Sequence, residues 1–420
     1  MPPIAEATRT TTTSVTRIPP APFALFVLLS LVLAAVVTSV HALRWPGSAA
    51  FSGLDFYDFY FAGVAVRRGA SPYDVALAES LAREASVAFR PGSDFIYPPW
   101  FALAIAPLTV LAPRVAFALW SVGLFVAYCA TLWLLGARHR PWLAALLIGA
   151  TPSVFCFFVG QINHYVLLAV ALAWTLRRTR PWASGALIGA VAAVKLAPII
   201  VLLAMPRAQR GRAWLGAFVT LGLAAAVGAL ALPGESTRWF TEVLPKTNAL
   251  TADSAHFLNQ GIAGFFARST LENTWTTAWT ALAPRTAATL SLCARLAFVS
   301  ATCAFALFVT QRRPAHGWRA WSALVIASVL ASPLAWEGTH VMIVFALMLS
   351  AGRVPRAITA FVFVTYCFER AIDLTIRSPS TAELVRTSTL VSSCAVWACL
   401  LLLAAIVAPA LRRSTTHTEA

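Results

Sequence analysis

Long apolar stretches recur from one end of the chain to the other. A transmembrane helix needs about 20 mostly apolar residues, and many stretches approach that length and composition. The pattern therefore predicts an all-α polytopic membrane protein. We expect spans near residues 23–41, 115–136, 142–158, 164–177, 214–232, 289–310, 318–334, 338–350, 356–372 and 388–409.

Two further apolar stretches are less regular. Residues 100–111 follow two prolines and are short, so we interpret them as a half-helix that does not cross. Residues 182–205 are interrupted by Lys195 and Pro198. A lysine at membrane depth is costly unless it faces protein or water, so we interpret this stretch as a tight hairpin or re-entrant pair. The total is then about 10–12 crossings.

Short basic loops predict the orientation, because loops rich in Lys and Arg stay on the cytoplasmic side. They place both termini in the cytoplasm and the long loops 42–99 and 233–288 outside. We predict a disordered N-terminus over 1–22, one integral-membrane domain over 23–410, and a tail over 411–420. The basic groups fall at 138–140, 177–180, 207–212, 312–319, 353–356 and 412–413.

Composition agrees with this membrane interpretation. Hydrophobic residues make up 59% of the 420 residues and charged residues 11%, against about 25% charged in soluble domains. The formal net charge of +16 follows from the basic loops, so it indicates orientation and not nucleic-acid binding. Of the 16 acids only Glu6 and Glu419 fall on the cytoplasmic side. Chemistry on the outer face and simple solvation of the longer loops both explain that segregation.

The sequence contains no motif that predicts binding of a metal, a cofactor or a nucleotide. The seven cysteines lie in or beside apolar spans, and neither cysteines nor histidines have metal-ligand spacing. No phosphate-binding glycine loop is present. We therefore expect an activity that needs no bound cofactor.

Polar clusters instead gather on the predicted outer side. Asp55 and Asp58 lie three apart in an aromatic stretch, so they share one face of a helix. Asp55 is a candidate general base, because burial raises a carboxylate pKa toward neutrality. Helix capping by Asp55 is an equal alternative. Tyr97, before the two prolines, is a candidate to line the site.

A short polar link between two spans contains Gln161 and Asn163. Their amides suit sugar hydroxyls, but for this link taken alone a solvated loop is the favoured explanation. Lys195 either extends to the membrane interface or binds an anion such as a lipid phosphate, and we favour the anion. Further candidates for substrate or phosphate contact are Asn259, Gln260, Arg295, Trp336, Glu337 and His340.

Taken together and in order, these motifs resemble glycosyltransferase family 87. The resemblance covers about residues 50–345. Each motif is weak alone, and their common order on one membrane face is more specific. They are Asp55 followed by aromatics, Ala62-Gly63, Pro72-Tyr73-Asp74, Tyr97-Pro98-Pro99, Gly160-Gln161-Ile162-Asn163, Lys195 with Pro198, Asn259-Gln260, Ser332-Pro333 with Trp336, and His340.

The resemblance implies a membrane enzyme of the GT-C fold type with its active site on the outer loops. It implies inverting transfer of a hexose, mannose in similar enzymes, from a polyprenyl-phosphate sugar to a lipid or glycan hydroxyl outside the cell membrane. Asp55 matches the family's catalytic Asp, while Lys195 and His340 match positions we assign to the donor phosphate. Arg295 joins them as a third candidate. Asp58 has no firm counterpart, and Glu337 falls where the family varies.

A lipid or solute transporter is the alternative from another class. It requires polar groups at the membrane midplane that reach both faces in turn. Here most polar clusters lie on one face, which favours the enzyme.

Overall fold

The computed structural model describes residues 52–87, 89–90, 94–376 and 389–411, without the side chains of 142 and 367–376. The predicted N-terminus over 1–22, the span 23–41 and residues 412–420 lie outside this range. Within it, regular structure is helical apart from one isolated bridge between Asn259 and Trp336. The predicted all-α fold is confirmed.

We number the α-helices in chain order. They are α1 (Leu54–Arg67), α2 (Val75–Glu84), α3 (Pro99–Ile105), α4 (Pro113–Leu134), α5 (Pro141–Ile148), α6 (Thr151–Val159), α7 (Asn163–Leu176), α8 (Pro181–Ala192), α9 (Arg207–Ala231), α10 (Pro233–Arg238), α11 (Leu244–Asn248), α12 (Ile262–Thr270), α13 (Pro284–Arg312), α14 (Gly317–Leu330), α15 (Ile343–Ser350), α16 (Arg356–Ile376) and α17 (Cys394–Leu411). Short 3-10 segments at Ala106–Val110, Ala197–Ala204 and Glu337–Met342 join some of them.

Four described segments are long and apolar enough to cross a membrane: α4, α9, α13 and residues Val391–Leu411, which contain α17. Apolar side chains on α4 are left exposed at Val115, Leu119, Val122 and Val126. Their spacing of three or four residues forms one face of the helix, as expected for a surface that lipid covers. The chain is thus a polytopic membrane protein, while the number of crossings and their orientation stay predictions.

The centre of the molecule is formed by α14 and α15, which are apolar and buried on all sides. A helix hydrophobic all round belongs in a core. The indole of Trp321 on α14 is fully buried and donates a hydrogen bond to the carbonyl of Ala204, 3.1 Å away. This core supports the loops that carry the polar clusters.

The predicted span 142–158 is formed by two helices, α5 and α6, and not by one. The break falls at Gly149 and Ala150, directly before Pro152 in the first turn of α6. A proline inside a helix removes a hydrogen bond and clashes with the preceding turn, whereas in the first turn it does neither.

The 182–205 stretch folds back on itself, as expected for a hairpin. Its first arm is α8 and its second is the 3-10 segment Ala197–Ala204. The two arms end together, since the hydroxyl of Ser184 lies 3.8 Å from the sulfur of Met205. Lys195 therefore lies at the tip of the hairpin.

A seam of small residues fixes this hairpin against α9. A Cβ added to Gly185 would lie 1.8 Å from the carbonyl oxygen of Ala213, and one on Gly189 would lie 2.4 Å from that of Ala217. From the other side, Gly216 approaches the carbonyl of Trp182 in the same way. Glycines four apart let two membrane helices approach to backbone contact.

We expect Gly185→Leu to destabilise the protein markedly. The new side chain meets backbone and cannot move it aside, and overpacking in a tight core costs about 1–3 kcal/mol or more. Thermal unfolding in detergent, followed by tryptophan fluorescence, should show a clear fall in Tm and in the yield of folded protein.

Gly222→Leu on α9 is the matched control, because a Cβ at Gly222 has open space around it. It should leave the Tm near that of the wild type. Equal effects of the two substitutions would contradict the seam.

Candidate active site

The start of α1 and the link between α6 and α7 are packed directly together. The link turns at Gly160, whose φ of +73° favours glycine, and a Cβ there would lie 2.6 Å from that of Phe56. The amide of Gly53 donates to the carbonyl of Phe158 at 2.8 Å. The indole of Trp120 donates to the carbonyl of Gly160 at the same distance. These contacts place the first turn of α1 beside the polar residues of the link.

Asp55 lies in that first turn, and its side chain does not cap the helix. The N-cap is Gly53, with no side-chain capping hydrogen bond. The Asp55 carboxylate accepts a hydrogen bond of 2.6 Å from the side-chain amide of Gln161. The structure therefore uses this acid for a contact between distant segments.

The orientation of the Gln161 amide follows from its other contacts. Its oxygen accepts from the Tyr97 hydroxyl at 2.9 Å and from the backbone N–H of Ile162 at 3.0 Å. Since both partners donate, the oxygen must face them and the NH2 group must face Asp55. The amide thus holds the carboxylate in place.

The environment of Asp55 suits a proton acceptor. Burial among aromatic rings raises the pKa of the carboxyl above its ordinary value of 3.8. The positive charges of Arg90 and Lys195 and the hydrogen bond from Gln161 act in the opposite direction. The pKa of the Asp55 carboxyl thus lies above that of a solvated aspartate.

The tip of the 182–205 hairpin supplies a cation to the same site. The Lys195 ammonium donates to the Asn163 side-chain oxygen at 2.7 Å, and the Asn163 NH2 donates to the carbonyl of Gly338 at 2.8 Å. The ammonium also lies 5.8 Å from the centre of the Tyr97 ring. The indole of Trp100 fixes the hairpin by donating to the carbonyl of Ala193 at 2.6 Å.

These contacts join five predicted residues from four segments of the chain into one polar group. We call it the Asp55–Lys195 cluster; it consists of Asp55, Tyr97, Gln161, Asn163 and Lys195. The cluster combines a carboxylate, an ammonium, two amides and a phenol. Among the described residues no group of His, Cys, Asp or Glu is arranged to hold a metal ion.

The other two predicted acids border this cluster. Asp58 lies one turn after Asp55 on α1 and lines a small cleft with Tyr73 and Asp74. Glu337 is fully buried and precedes Gly338, the residue whose carbonyl Asn163 contacts. The roles of both acids in substrate binding stay predictions.

Asn259 and Gln260 are buried, and their side chains hold the loops of the site together. Asn259 donates to the carbonyls of Ser254 and Pro333 and accepts from the amide of Ala335 at 3.1 Å. Gln260 donates to the carbonyl of Ser392 at 2.7 Å. These contacts and the bridge to Trp336 tie the 233–288 loop to the segment before His340.

His340 and Arg295 contact backbone and side chains away from the cluster. The two ring nitrogens of His340 lie 2.8 Å from the Tyr366 hydroxyl and 3.1 Å from the carbonyl of Gln260. The Arg295 guanidinium donates to the carbonyl of Ala331 at 2.7 Å. The structure does not bring these two residues into contact with Lys195, and their assignment to a donor phosphate stays a prediction.

Sequence patterns do not mark three residues in or near the site: Arg90, His256 and Arg268. Arg90 acts electrostatically on Asp55 and on His256. Arg268 is completely buried in α12 and donates to the carbonyls of His256 and Asn259. No spacing pattern marks them; Arg268 sits in a helix with an apolar face, where a buried arginine is rare.

Comparison with known families decides the class of protein. A family model for glycosyltransferase family 87 matches residues 95–333, more than half of the chain. The chain belongs to glycosyltransferase family 87. It has no match among curated proteins and none among solved structures.

Family 87 membership makes the protein a membrane glycosyltransferase, so it favours the enzyme over the transporter. The family match contains four residues of the cluster: Tyr97, Gln161, Asn163 and Lys195. It begins after α1 and therefore does not include Asp55. The place of Asp55 in the cluster rests on its hydrogen bond to Gln161.

Proposed function

We propose that the protein is a GT-C type glycosyltransferase that moves a hexose, with mannose as the expected sugar, from a polyprenyl-phosphate sugar to a lipid or glycan hydroxyl. The reaction takes place on the outer face of the cell membrane and inverts the configuration at the anomeric carbon. Asp55 is the general base. Lys195 binds the donor phosphate.

One observation supports this function best. The Asp55–Lys195 cluster places a pKa-raised carboxylate, fixed by Gln161 at 2.6 Å, in one polar group with a lysine ammonium. A direct displacement at the anomeric carbon needs both charges: a base at the attacking hydroxyl and a cation at the leaving phosphate.

The step balances with these residues alone. The acceptor oxygen attacks the anomeric carbon, and its proton passes to the Asp55 carboxylate. The bond from the anomeric carbon to the phosphate oxygen breaks, and the electron pair leaves with polyprenyl phosphate. Lys195 stabilises the charge that grows on that oxygen. Because phosphate leaves without needing a proton, the second carboxylate of a glycosidase is not required.

Transfer from defined donors tests the proposal. Purified protein in liposomes should transfer labelled hexose from polyprenyl-phosphate mannose, or another polyprenyl-phosphate hexose, to envelope glycolipid extracts. The product should have the opposite anomeric configuration to the donor. Transfer from nucleotide sugars but from no polyprenyl-phosphate hexose would overturn the proposed donor.

The hydrogen bond from Gln161 predicts a pH effect. That hydrogen bond lowers the pKa of Asp55. Gln161→Leu should therefore raise the pKa of Asp55, so that the carboxyl stays protonated up to a higher pH than in the wild type. The acid limb of the pH profile of kcat/KM should therefore move to higher pH. Gln209→Leu, a glutamine outside the site, should leave the profile in place, and an unshifted limb in Gln161→Leu would contradict the assignment.

A further inference from the structure

Four aromatic rings gather beside the segment that links Asn163 to the outer loop. The imidazole of His256 lies 4.3 Å from the ring centre of Trp275, 4.6 Å from that of Phe257 and 5.2 Å from that of Trp336. We call these four residues the aromatic platform. The Trp275, His256 and Trp336 side chains are all partly exposed.

The His256 ring is neutral and has a defined tautomer. Burial and the charges of Arg90 and Arg268 lower its pKa to about 4. Its Nδ1 accepts a hydrogen bond of 3.1 Å from the backbone N–H of Leu258. The single proton of the neutral ring is therefore on Nε2, which makes Nε2 a hydrogen-bond donor.

A short segment of the chain connects the platform with the Asp55–Lys195 cluster. Trp336 stands two residues before Gly338, whose carbonyl accepts from the same Asn163 that contacts Lys195. From the other side, Arg90 acts on both His256 and Asp55. Residues 336–338 thus connect the platform to the cluster.

We propose that the aromatic platform is a second sugar subsite, which stacks a pyranose ring of the acceptor glycan and donates a hydrogen bond from the Nε2–H of His256 to a sugar hydroxyl. A pyranose ring presents C–H groups on its face and hydroxyls at its edge. The apolar faces of the platform rings match the C–H groups, and the fixed donor of His256 matches a hydroxyl. The arrangement does not depend on pH near neutrality. This inference rests on the proposed function, because it takes the ligand to be the acceptor.

Kinetics of platform variants test the subsite. His256→Phe keeps the ring and removes the donor, while Trp275→Leu removes a ring. Each should raise the KM for the acceptor about fivefold to tenfold, the effect of losing one such contact, with the KM for the donor and the kcat unchanged. Trp275→Phe should restore most of the lost affinity. Trp279→Leu changes an exposed tryptophan of the same loop that contacts Phe265 instead, and it should leave the KM unchanged.

A binding measurement separates this inference from the proposed reaction. Quenching of tryptophan fluorescence by methyl mannoside or a mannose disaccharide should be saturable in the wild type and weakened in Trp275→Leu, whether or not any polyprenyl-phosphate donor is turned over. Unchanged quenching and an unchanged acceptor KM in folded Trp275→Leu would overturn the subsite. A raised donor KM with an unchanged acceptor KM would overturn the choice of ligand.

Discussion

Asp55→Asn should abolish glycosyl transfer while the protein still folds and reaches the membrane. The asparagine oxygen can still accept the hydrogen bond from Gln161, so the first turn of α1 and the link keep their contact. What the substitution removes is the ability to take a proton. Loss of a positioned general base costs about 10²–10⁴ in rate, and we expect kcat to fall by that much with a much smaller change in the KM for the donor.

The measurement is single-turnover transfer of labelled hexose from polyprenyl-phosphate sugar. Asp253→Asn is the matched control, because Asp253 is an exposed acid of the 233–288 loop. Its kcat should equal that of the wild type. Near-normal turnover by Asp55→Asn would refute the base assignment, and loss of activity in both variants would point to a general effect of charge on the outer surface.

The sequence predicts the all-α membrane fold well, because long apolar stretches have few other solutions. The hairpin over 182–205 also follows from one residue pair, since Lys195 and Pro198 cannot both lie in a straight lipid-facing helix. The break between α5 and α6 is harder to foresee. A proline is compatible both with the end of one helix and with the first turn of the next. Pro152 alone therefore does not fix where the break falls, and packing decides it.

The sequence predicts those parts of the site in which polar residues with apolar neighbours contact one another. Asp55, Gln161 and Lys195 are polar exceptions among apolar neighbours, and the structure brings them together. The amides of Asn259 and Gln260 stand out in the same way, yet they bind backbone. The partners of an amide depend on which carbonyls the fold brings near, and no local pattern encodes that.

The aromatic platform is likewise not predicted by any local sequence pattern. His256, Trp275 and Trp336 lie up to 80 residues apart in loops, where no helical or strand period marks a shared face. Their meeting depends on the buried Arg268, which holds the carbonyls of His256 and Asn259. A charged residue inside an apolar region therefore shapes the site without being part of it.

Lys195→Met should reduce kcat/KM about 10²–10³-fold, the cost of removing one charged stabiliser from a transition state. Methionine keeps the apolar stem at the tip of the hairpin and removes only the ammonium, so the seam of Gly185 and Gly189 against α9 is untouched. The loss should appear in both kcat and the KM for the donor, because the donor phosphate is charged before and after the step.

The chain supplies its own control, because its only other lysine is Lys246. Lys246 is exposed and forms an ion pair with Asp94. Lys246→Met should keep the wild-type kcat/KM. Lys195→Arg should recover part of the loss, because it restores a positive charge, although on a planar guanidinium and not on a compact ammonium. A value of kcat/KM for Lys195→Met within threefold of the wild type would show that the donor phosphate is bound elsewhere. His340 and Arg295 would then be the next residues to test.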